Sequence, residues 1–317
     1  MRVLMQGSWL PDNRAALEDL IRRVGRENST YDPSSPPFAV FDWDQTVIRH
    51  DIGDALFLRQ IEDLAFAHDQ DEFWSILGVP ANDPLRDHVA RLQEASPDER
   101  AAMDEHHAWR EAVLLGYLRS GQVDPQEGFP WQTRLLAGLT VDEVKRLTRI
   151  AIEAEVAMPL QPRPYTVAGS QLSFHQGLRP YVEILDLMRA LDEAGIAAWV
   201  VSATNIWSVQ AMAEYLGLRT DRVIGMRTRV EDGVITSDLE LPAPATWGKV
   251  LAIQRYIHPT QPPVLVAGDN ITDLPMLEYS ADTRLVIDRG VKALRDVARS
   301  RRADGERWLI QPKFHVE

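Results

Sequence analysis

The chain has 317 residues, 45% hydrophobic and 26% charged, which is ordinary for a globular protein of about two domains. Its formal net charge of −13 at pH 7 disfavours partners that attract basic surfaces, so we expect neither nucleic acid nor an anionic membrane as a ligand. No segment approaches the roughly 18 consecutive apolar residues of a membrane span, the first residues lack a secretory apolar region, and the absence of cysteine excludes disulfides and thiolate nucleophiles.

The first predicted elements are a helix and a short strand. Apolar residues recur at helical spacing from about residue 12 to 26, and the Pro-rich stretch YDPSSPP ends this helix. The strand FAVF, 38–41, is uniformly apolar, as expected of a strand that is buried on both faces. The sequence DWDQT follows at once, so that Asp42 and Asp44 stand directly beyond the carboxyl end of the strand.

Residues 52–175 have a different pattern, with clear helix starts and hardly any β-run. Ser96 and Thr140 are each followed three residues later by Glu, which is the pattern of an N-terminal capping box. The segment 159–169 contains three prolines and a glycine and indicates a linker that leads back to the first unit. We therefore expect an all-helical insertion directly after the first strand.

After the insertion, helices alternate with short apolar strands. The predicted elements are a helix at 183–195, a strand at 196–202, a helix at 208–217, a hairpin at 222–241, a helix at 247–257, a strand at 264–268, a helix at 274–280 and a strand at 284–288. This alternation is typical of a parallel sheet covered on both faces. The sequence therefore predicts a three-layer α/β core, residues 1–51 and 176–317, interrupted by a helical cap domain, residues 52–175.

Charged and polar residues stand beyond several of these strands, where open parallel sheets bind their ligands. They are Asp42, Asp44, Ser202, Asp269 and Asp273, with Lys249 at the start of the helix before the strand 264–268. Converging carboxylates repel strongly unless a cation lies between them. Mg²⁺ takes oxygen ligands and usually shares them with a substrate phosphate, so we expect a Mg²⁺ site that serves a phosphate-bearing small molecule.

The ordered motifs DWDQT (42–46), SAT (202–204), WGK with Lys249, and GDNITD (268–273) resemble the four motifs of the haloacid dehalogenase-like hydrolase superfamily. The insertion lies where that superfamily places its helical cap, and LPML after Asp273 is similar to the phosphoserine phosphatase branch and to the phosphorylcholine phosphatases. The resemblance implies a Rossmann-like core and a Mg²⁺-dependent phosphatase. Its substrate would be a small-molecule phosphomonoester, with an amine-bearing compound such as phosphoserine or phosphocholine as the candidate.

The resemblance also implies a role for each motif residue. Asp42 would attack phosphorus to form an aspartyl-phosphate, and Asp44 would protonate the leaving alcohol and then activate water. Because dehalogenases of the superfamily lack an acid/base at position 44, its presence argues for phosphoester chemistry. The expected metal site comprises the side chains of Asp42 and Asp269 and the backbone carbonyl of Asp44, with Asp273 reaching the metal through water or supporting its ligands. The expected phosphate contacts are Thr46, Ser202, Ala203 and Lys249.

Substrate recognition is expected from the cap and from the segment that follows the catalytic loop. Asp51 stands where phosphoserine phosphatases place a Glu that meets the substrate amine, and Asp54 is near an acidic position of phosphorylcholine phosphatases. Three residues apart on a helix, they would share a face and present negative charge to a cationic group. The alternative is a solvated acidic start of a helix. Arg49 and His50 also lie close enough in sequence to contact substrate.

Large aromatic residues in and beside the insertion suit either an apolar core or a cage for a trimethylammonium group. They are Phe73, Trp74, Trp109, Tyr117, Phe129, Trp131, Tyr165 and Phe174. Two further functions stay open, namely phosphotransfer to an acceptor other than water and a non-catalytic module that binds a phosphometabolite. The intact motif residues favour catalysis. We expect a cytoplasmic location, and no feature indicates an oligomeric state.

Overall fold

The computed structural model describes residues 3–123 and 125–316, with the side chains of residues 122–129 left out. The α-helices in chain order are α1 (Pro11–Val24), α2 (Ile52–Asp63), α3 (Asp71–Leu77), α4 (Leu85–Glu94), α5 (Pro97–Ala101), α6 (Asp104–Val123), α7 (Pro125–Arg134), α8 (Val141–Ala157), α9 (Val182–Glu193), α10 (Ile206–Tyr215), α11 (Trp247–Tyr256), α12 (Leu274–Glu278) and α13 (Lys292–Ala303). The strands are β1 (Phe38–Phe41), β2 (Ile48–Arg49), β3 (Gln161–Val167), β4 (Ser170–Gln176), β5 (Arg179–Pro180), β6 (Ala197–Asn205), β7 (Val223–Met226), β8 (Thr228–Glu231), β9 (Val234–Leu239), β10 (Leu265–Gly268), β11 (Thr283–Asp288) and β12 (Trp308–Pro312).

A six-stranded parallel sheet in the order β12-β11-β10-β1-β6-β7 forms the centre of the molecule. Successive side chains of a strand point to opposite faces. Accordingly, Ala39 and Phe41 pack in one buried apolar cluster, whereas Phe38 and Val40 pack in the other. Helices cover both faces, which confirms the predicted three-layer α/β fold.

The order of the strands fixes where a ligand can bind. From β1 the chain crosses to β6 and β7 on one side, then returns to β10, β11 and β12 on the other. A crevice opens beyond the carboxyl ends of the strands at such a reversal of direction. Asp42 and Asp269, which follow β1 and β10 directly, lie at this point.

The inserted segment is helical from α2 to α8, as predicted, but it ends in a hairpin formed by β3 and β4. The prediction of a linker at residues 159–169 is therefore wrong. Pro162 and Pro164 obscured the strand, because proline is depleted in sheets. Both lie on β3, whose only partner in the hairpin is β4. Every second backbone nitrogen of such a strand faces away from the partner and makes no hydrogen bond to it, so proline, which lacks an amide hydrogen, is tolerated there. At the base of the insertion, β2 pairs with β5.

Three smaller differences concern element boundaries. The predicted hairpin at 222–241 is divided, since the buried run Val223–Met226 joins the main sheet and only β8 pairs with β9. The helix expected after Ser96 is interrupted between α5 and α6, and the sequence analysis did not predict α13 and β12. Both predicted capping boxes are present, at Ser96 and Thr140. None of the described helices is long and apolar enough to cross a membrane.

Candidate active site

A cavity of about 280 Å³ opens beyond the carboxyl ends of β1, β6 and β10. Of the residues predicted for the site, its walls include Asp42, Asp44, Asp51, Asp54, Ser202, Ala203, Lys249, Asp269 and Asp273. The fold therefore brings together side chains that are separated by more than 200 positions in the sequence. Thr46, Arg49 and His50, which were also expected near the substrate, are not among the residues that line this cavity.

Three buried carboxylates, from Asp42, Asp269 and Asp273, place one oxygen each within 4.8 Å of one another. Burial, followed by the negative charge of Asp273, raises the pKa of both Asp42 and Asp269. Such a group of oxygens, crowded and short of compensating charge, has the donor chemistry that Mg²⁺ requires. The residues present thus fit a Mg²⁺ ion.

Asp273 stabilises the loop that carries Asp269 through hydrogen bonds to both of its carboxylate oxygens. Its Oδ1 accepts a hydrogen bond from Lys249 Nζ at 2.6 Å, and its Oδ2 accepts the backbone N–H groups of Asp269 and Asn270, each at 3.0 Å. A Cβ atom at position 268 would come within 2.7 Å of the Asp273 Cβ, so this close approach requires Gly268. This arrangement fits a residue that orients the metal ligands through hydrogen bonds to the loop that carries them.

Lys249 supplies positive charge to the carboxylates from the first turn of α11. It is 2% exposed, and its Nζ donates to Asp42 Oδ1 as well as to Asp273 Oδ1, at 2.6 Å in both cases. Burial alone would lower the pKa of Lys249, but the adjacent carboxylates of Asp273 and Asp42 outweigh burial and raise it. Lys249 is therefore protonated at neutral pH and balances part of the negative charge of the site.

Thr46 lies behind the carboxylates and not at the cavity wall. Its side chain is fully buried, and its hydroxyl is 3.2 Å from both Asp42 Oδ2 and Asp269 Oδ1. The expected contact of Thr46 with phosphate stays a prediction, because in this structure its hydroxyl contacts the carboxylates and Thr46 is not among the residues that line the cavity. The geometry instead favours a residue that orients Asp42 and Asp269.

Asp44 is held by two donors that fix both of its oxygens. The Ile52 N–H donates to Oδ1 at 2.9 Å, and the Thr204 hydroxyl donates to Oδ2 at 2.7 Å. Burial, followed by the negative charge of Asp51, raises the pKa of Asp44 well above its ordinary value. A raised pKa favours the protonated form of the carboxyl group, which is the form that gives a proton to a leaving group. Sequence reasoning assigned no role to Thr204, although it completes the SAT motif.

Ser202 and Ala203 form the wall of the cavity on the side of β6. Ser202 is 1% exposed, and its Oγ accepts the Thr204 N–H at 3.0 Å. Among the described residues, none accepts its hydroxyl hydrogen, which leaves that hydrogen for an acceptor in the cavity. This is the geometry of a donor to a phosphate oxygen.

Asp51 and Asp54 face both this cavity and a second one of about 420 Å³ beside it. Asp51 caps α2, since its Oδ1 accepts the Asp54 N–H at 3.0 Å. Burial, followed by the charge of Asp51, raises the pKa of Asp54 well above its ordinary value, and Asp54 in turn raises the pKa of Tyr117. The two residues thus form the N-terminal cap and first turn of α2, and their side chains are partly buried and line both cavities.

Most of the aromatic residues of the insertion form an apolar core. Phe73, Trp74, Trp109 and Phe174 are buried together, whereas Tyr117 lines the larger cavity and stacks on Phe57, with 5.5 Å between ring centroids. Trp131 and Tyr165 pack against the same core, and the side chain of Phe129 lies outside the described residues.

Arg289 is a second residue that sequence reasoning missed. It follows β11 directly and forms an ion pair with Asp269 Oδ2 through its Nε, and its side chain is 31% exposed. Arg289 also lines the cavity of about 280 Å³. The rule that ligands bind beyond the carboxyl ends of strands, applied to β11 as it was to β1 and β10, would have found it.

The matches to a family model and to two curated proteins agree with one another. A family model described as haloacid dehalogenase-like hydrolase matches residues 39–278. The chain is 25% identical to the phosphorylcholine phosphatase of Pseudomonas aeruginosa over 264 residues, which are 73% of this chain and 68% of that protein. It is 30% identical to the phosphoserine phosphatase of Halobacterium salinarum over 155 residues, which are 46% of this chain and 73% of that protein.

Solved structures show the same fold. A conserved protein of unknown function from Anaerococcus prevotii superposes with a TM-score of 0.82 at 23% identity, over 100% of both chains. A protein of unknown function from Bordetella pertussis gives a TM-score of 0.53 at 18% identity, over 86% of this chain and 97% of that one.

Proposed function

The chain belongs to the haloacid dehalogenase-like hydrolase family and is a hydrolase of phosphomonoesters, and we propose that it is a Mg²⁺-dependent phosphatase that acts through an aspartyl-phosphate on Asp42. The observation that carries this proposal is the geometry around Asp42. One cavity joins the nucleophile, the buried cation of Lys249 and a second carboxyl group, Asp44, whose pKa is raised.

We assign the metal to the oxygens of Asp42 and Asp269, with the backbone carbonyl of Asp44 as a further ligand and Asp273 in support. When bound, Mg²⁺ supplies positive charge to the phosphate oxygens and to the crowded carboxylates. Lys249 and Thr46 hold the two oxygens of Asp42 and thereby orient the nucleophile.

Asp42 and Asp44 divide the reaction into two steps. In the first, an oxygen of Asp42 bonds to phosphorus while the bond from phosphorus to the leaving alcohol breaks, and Asp44 gives its proton to that alcohol. In the second, Asp44 takes a proton from water, whose oxygen attacks phosphorus and breaks the bond to Asp42. Both carboxyl groups are restored. Ser202 donates to a phosphate oxygen, and the backbone at Ala203 adjoins it.

We further propose that residues 52–175 act as a cap domain that selects the substrate. Asp51, Asp54 and Tyr117 come from this segment or its edge and line the larger cavity. Two half-buried carboxylates beside aromatic rings suit a cationic amine, through charge and through contact with the ring faces. The relatives named as phosphorylcholine and phosphoserine phosphatases agree with this class of substrate.

The direct test is phosphate release with Mg²⁺ from phosphocholine, ethanolamine phosphate, phosphoserine, sugar phosphates and p-nitrophenyl phosphate, with EDTA as the control. We expect metal-dependent release with a preference for the amine-bearing substrates. Release from the aryl ester alone would support the chemistry and reject the proposed substrate class. No metal-dependent release from any of these compounds would reject the proposed phosphatase.

A further inference from the structure

The hairpin that ends the inserted segment forms part of the wall of the cavity of about 280 Å³, here called the catalytic cavity. Among the described residues of the segment 52–175, three line this cavity, and two of them, Ser173 and His175, belong to β4. Alternate side chains of a strand point to opposite faces. Leu172 and Phe174 accordingly pack in the apolar core of the insertion, whereas Ser173 and His175 line the catalytic cavity.

A series of contacts fixes the end of β4. Gly177, just after β4, donates its N–H to Glu155 Oε2 at 2.6 Å, and its carbonyl accepts from His50 Nδ1 at 2.8 Å. Glu155, on α8, also forms an ion pair with Arg163 of β3, with 3.0 Å between Oε1 and Nη2. A Cβ atom at position 177 would come within 2.9 Å of the Pro159 carbonyl oxygen, and φ is +83°, so this position requires glycine. The hairpin is therefore anchored both to α8 and to the segment that follows the catalytic loop.

His50 also fixes the direction of the His175 ring. His50 is buried, and its Nδ1 lies 3.1 Å from the carbonyl oxygen of Gln176 and 2.8 Å from that of Gly177. Because both carbonyl groups can only accept, Nδ1 carries the proton. The His175 ring stacks on the His50 ring, with 4.7 Å between ring centroids and 29° between the ring planes. The stack thus holds the His175 ring at the wall of the catalytic cavity.

The polar atoms of Ser173 and His175 are available to a ligand. Both residues are exposed, and within the part of the chain that the structure describes, no hydrogen bond joins either side chain to another residue. Partial burial, followed by the positive charges of Lys313, Arg289 and Arg49, lowers the pKa of His175, which favours the neutral ring. A hydroxyl group and a neutral imidazole each offer both a donor and an acceptor. Their natural complement is an uncharged group that also donates and accepts, such as a hydroxyl.

The leaving group of a substrate is the part that can reach this wall. In phosphoryl transfer the attacking and leaving oxygens lie roughly in line, so the leaving group points away from Asp42. The catalytic cavity is small for a ligand site, so a substrate bound at Asp42 contacts more than one of its walls.

We propose that Ser173 and His175 are specificity-determining residues that form hydrogen bonds with a hydroxyl group on the leaving alcohol, and that His50 is a positioning residue for His175. This role rests on the proposed function and specifies a further group of its substrate. The hydroxyl group is recognised at β4, apart from the amine proposed to lie at Asp51 and Asp54.

The test compares glycerol phosphate with propyl phosphate, which carry the same charge and differ only in hydroxyl groups. The readout is the ratio of kcat/KM for glycerol phosphate to kcat/KM for propyl phosphate. His175→Phe keeps a ring for the stack and removes the polar atoms, so we expect it to lower the ratio about two- to tenfold, as the loss of one hydrogen bond predicts. Ser173→Ala should lower the ratio as well. An unchanged ratio in both variants, with both esters still hydrolysed, would overturn the role of β4 and leave the phosphatase proposal intact.

Gln171→Ala is the matched control. Gln171 is exposed, stands at the alternate position of β4 before Ser173, and lines neither cavity. It should leave the ratio unchanged. A fall of the ratio as large as that in Ser173→Ala would mean that the hairpin acts through its fold and not through contact with the substrate, and would overturn the proposed contact.

A double-mutant cycle tests the positioning role of His50. His50→Ala should lower the ratio, but adding it to His175→Phe should lower the ratio no further, because His50 acts through the polar atoms of His175. His50→Asn keeps a donor for the carbonyl groups and tolerates the φ of +70° at this position, so it should retain more of the ratio than His50→Ala. Additive losses from His50→Ala and His175→Phe would overturn the positioning role.

Calorimetric titration separates failure of the proposed contact from failure of the proposed function. In an Asp42→Asn background the two esters bind without turnover, and His175→Phe should weaken the binding of glycerol phosphate more than that of propyl phosphate. This difference, found together with a wild type that hydrolyses neither ester, would reject the phosphatase and support the contact. Equal weakening of both ligands would overturn the contact, whether or not the wild type is a phosphatase.

Discussion

At the scale of single residues, the proposed mechanism makes Asp44 the acid on which release of an alkyl alcohol depends. Its two oxygens are fixed by Ile52 and Thr204, and burial raises its pKa, which favours the protonated form. The variant Asp44→Asn keeps the shape of the side chain and removes proton transfer. We expect kcat with an alkyl phosphomonoester to fall about 10²- to 10⁴-fold.

The matched measurement uses p-nitrophenyl phosphate, whose leaving group needs no proton. Formation of the phosphoenzyme from this ester should be nearly normal in Asp44→Asn, as followed by the burst of p-nitrophenol. Equal losses in the first step for the alkyl and the aryl ester would contradict the role of Asp44 as the acid.

Asp54 should make the stability of the fold depend on pH. Burial, with the charge of Asp51, raises the pKa of Asp54 in the folded state well above its unfolded value. The folded state therefore binds more protons than the unfolded state between these two values, so the contribution of Asp54 to the free energy of unfolding falls as pH rises through that window.

The variant Asp54→Asn removes this effect. Denaturant titrations should show a gain in the free energy of unfolding, relative to wild type, that is small near about pH 4 and larger near about pH 8. Glu72→Gln, at an exposed helix position, is a control for loss of one acidic charge. If the gain in the free energy of unfolding of Asp54→Asn does not change with pH, the pKa of Asp54 is not raised by folding.

The sequence predicted which carboxylates meet at the candidate site because the physics at these positions is local. An apolar strand that ends in Asp42 or Asp269 must deliver the carboxylate to the edge of the sheet, whatever the rest of the chain does. The position of Thr46 depends on the direction of a side chain in a tight loop, and spacing carries no information on that direction. Arg289 follows a strand that was predicted, so the same rule could have named it, but its ion pair with Asp269 depends on the pairing of β11 with β10.

At the scale of elements, the capping boxes offer a matched pair. The Thr140 and Ser96 side chains each accept the N–H of a Glu three residues later, and each Glu accepts in return from the N-terminal residue. The helix α8 packs Val144, Leu147 and Ile152 into the main core, whereas α5 buries no residue.

We therefore expect Thr140→Ala to lower the free energy of unfolding by about 1 kcal/mol. Ser96→Ala should lower it by much less, because a short exposed helix can fray while the rest of the fold stays intact. Thermal or denaturant unfolding of the two variants measures the difference. Equal losses would show that α5 is part of the cooperative unit.

Two of the elements that were not predicted correctly, β3 and β7, share a physical cause. The strand β3 carries proline at alternate positions, so local propensity opposes a pairing that β4 nevertheless provides. The strand β7 is four residues long and continues almost directly into β8, so no turn residue marks where the chain leaves the main sheet. Both depend on tertiary contacts that a single sequence does not display.

At the scale of the whole molecule, the proposed function assigns chemistry and substrate recognition to different parts of the chain. The sheet brings Asp42, Lys249 and Asp269 to its switch point, while the inserted segment adds the walls that carry Asp54 and Tyr117. The proposal therefore predicts that substitutions in the inserted segment change selectivity and substitutions at the end of the sheet change the reaction. The three-layer core was predictable because helices and apolar strands alternate, whereas the hairpin end of the insertion was not.

The measurement that tests the central claim most directly is capture of a phosphoryl group on Asp42. Asp44→Asn is mixed with p-nitrophenyl phosphate and Mg²⁺, quenched in acid and mapped by peptide mass spectrometry, with Asp42→Asn/Asp44→Asn as the control. We predict one added phosphoryl group on the peptide that contains Asp42, absent from the control and absent when EDTA replaces Mg²⁺. Turnover by the wild type without any covalent phosphoryl group, or with the group on another residue, would contradict the mechanism.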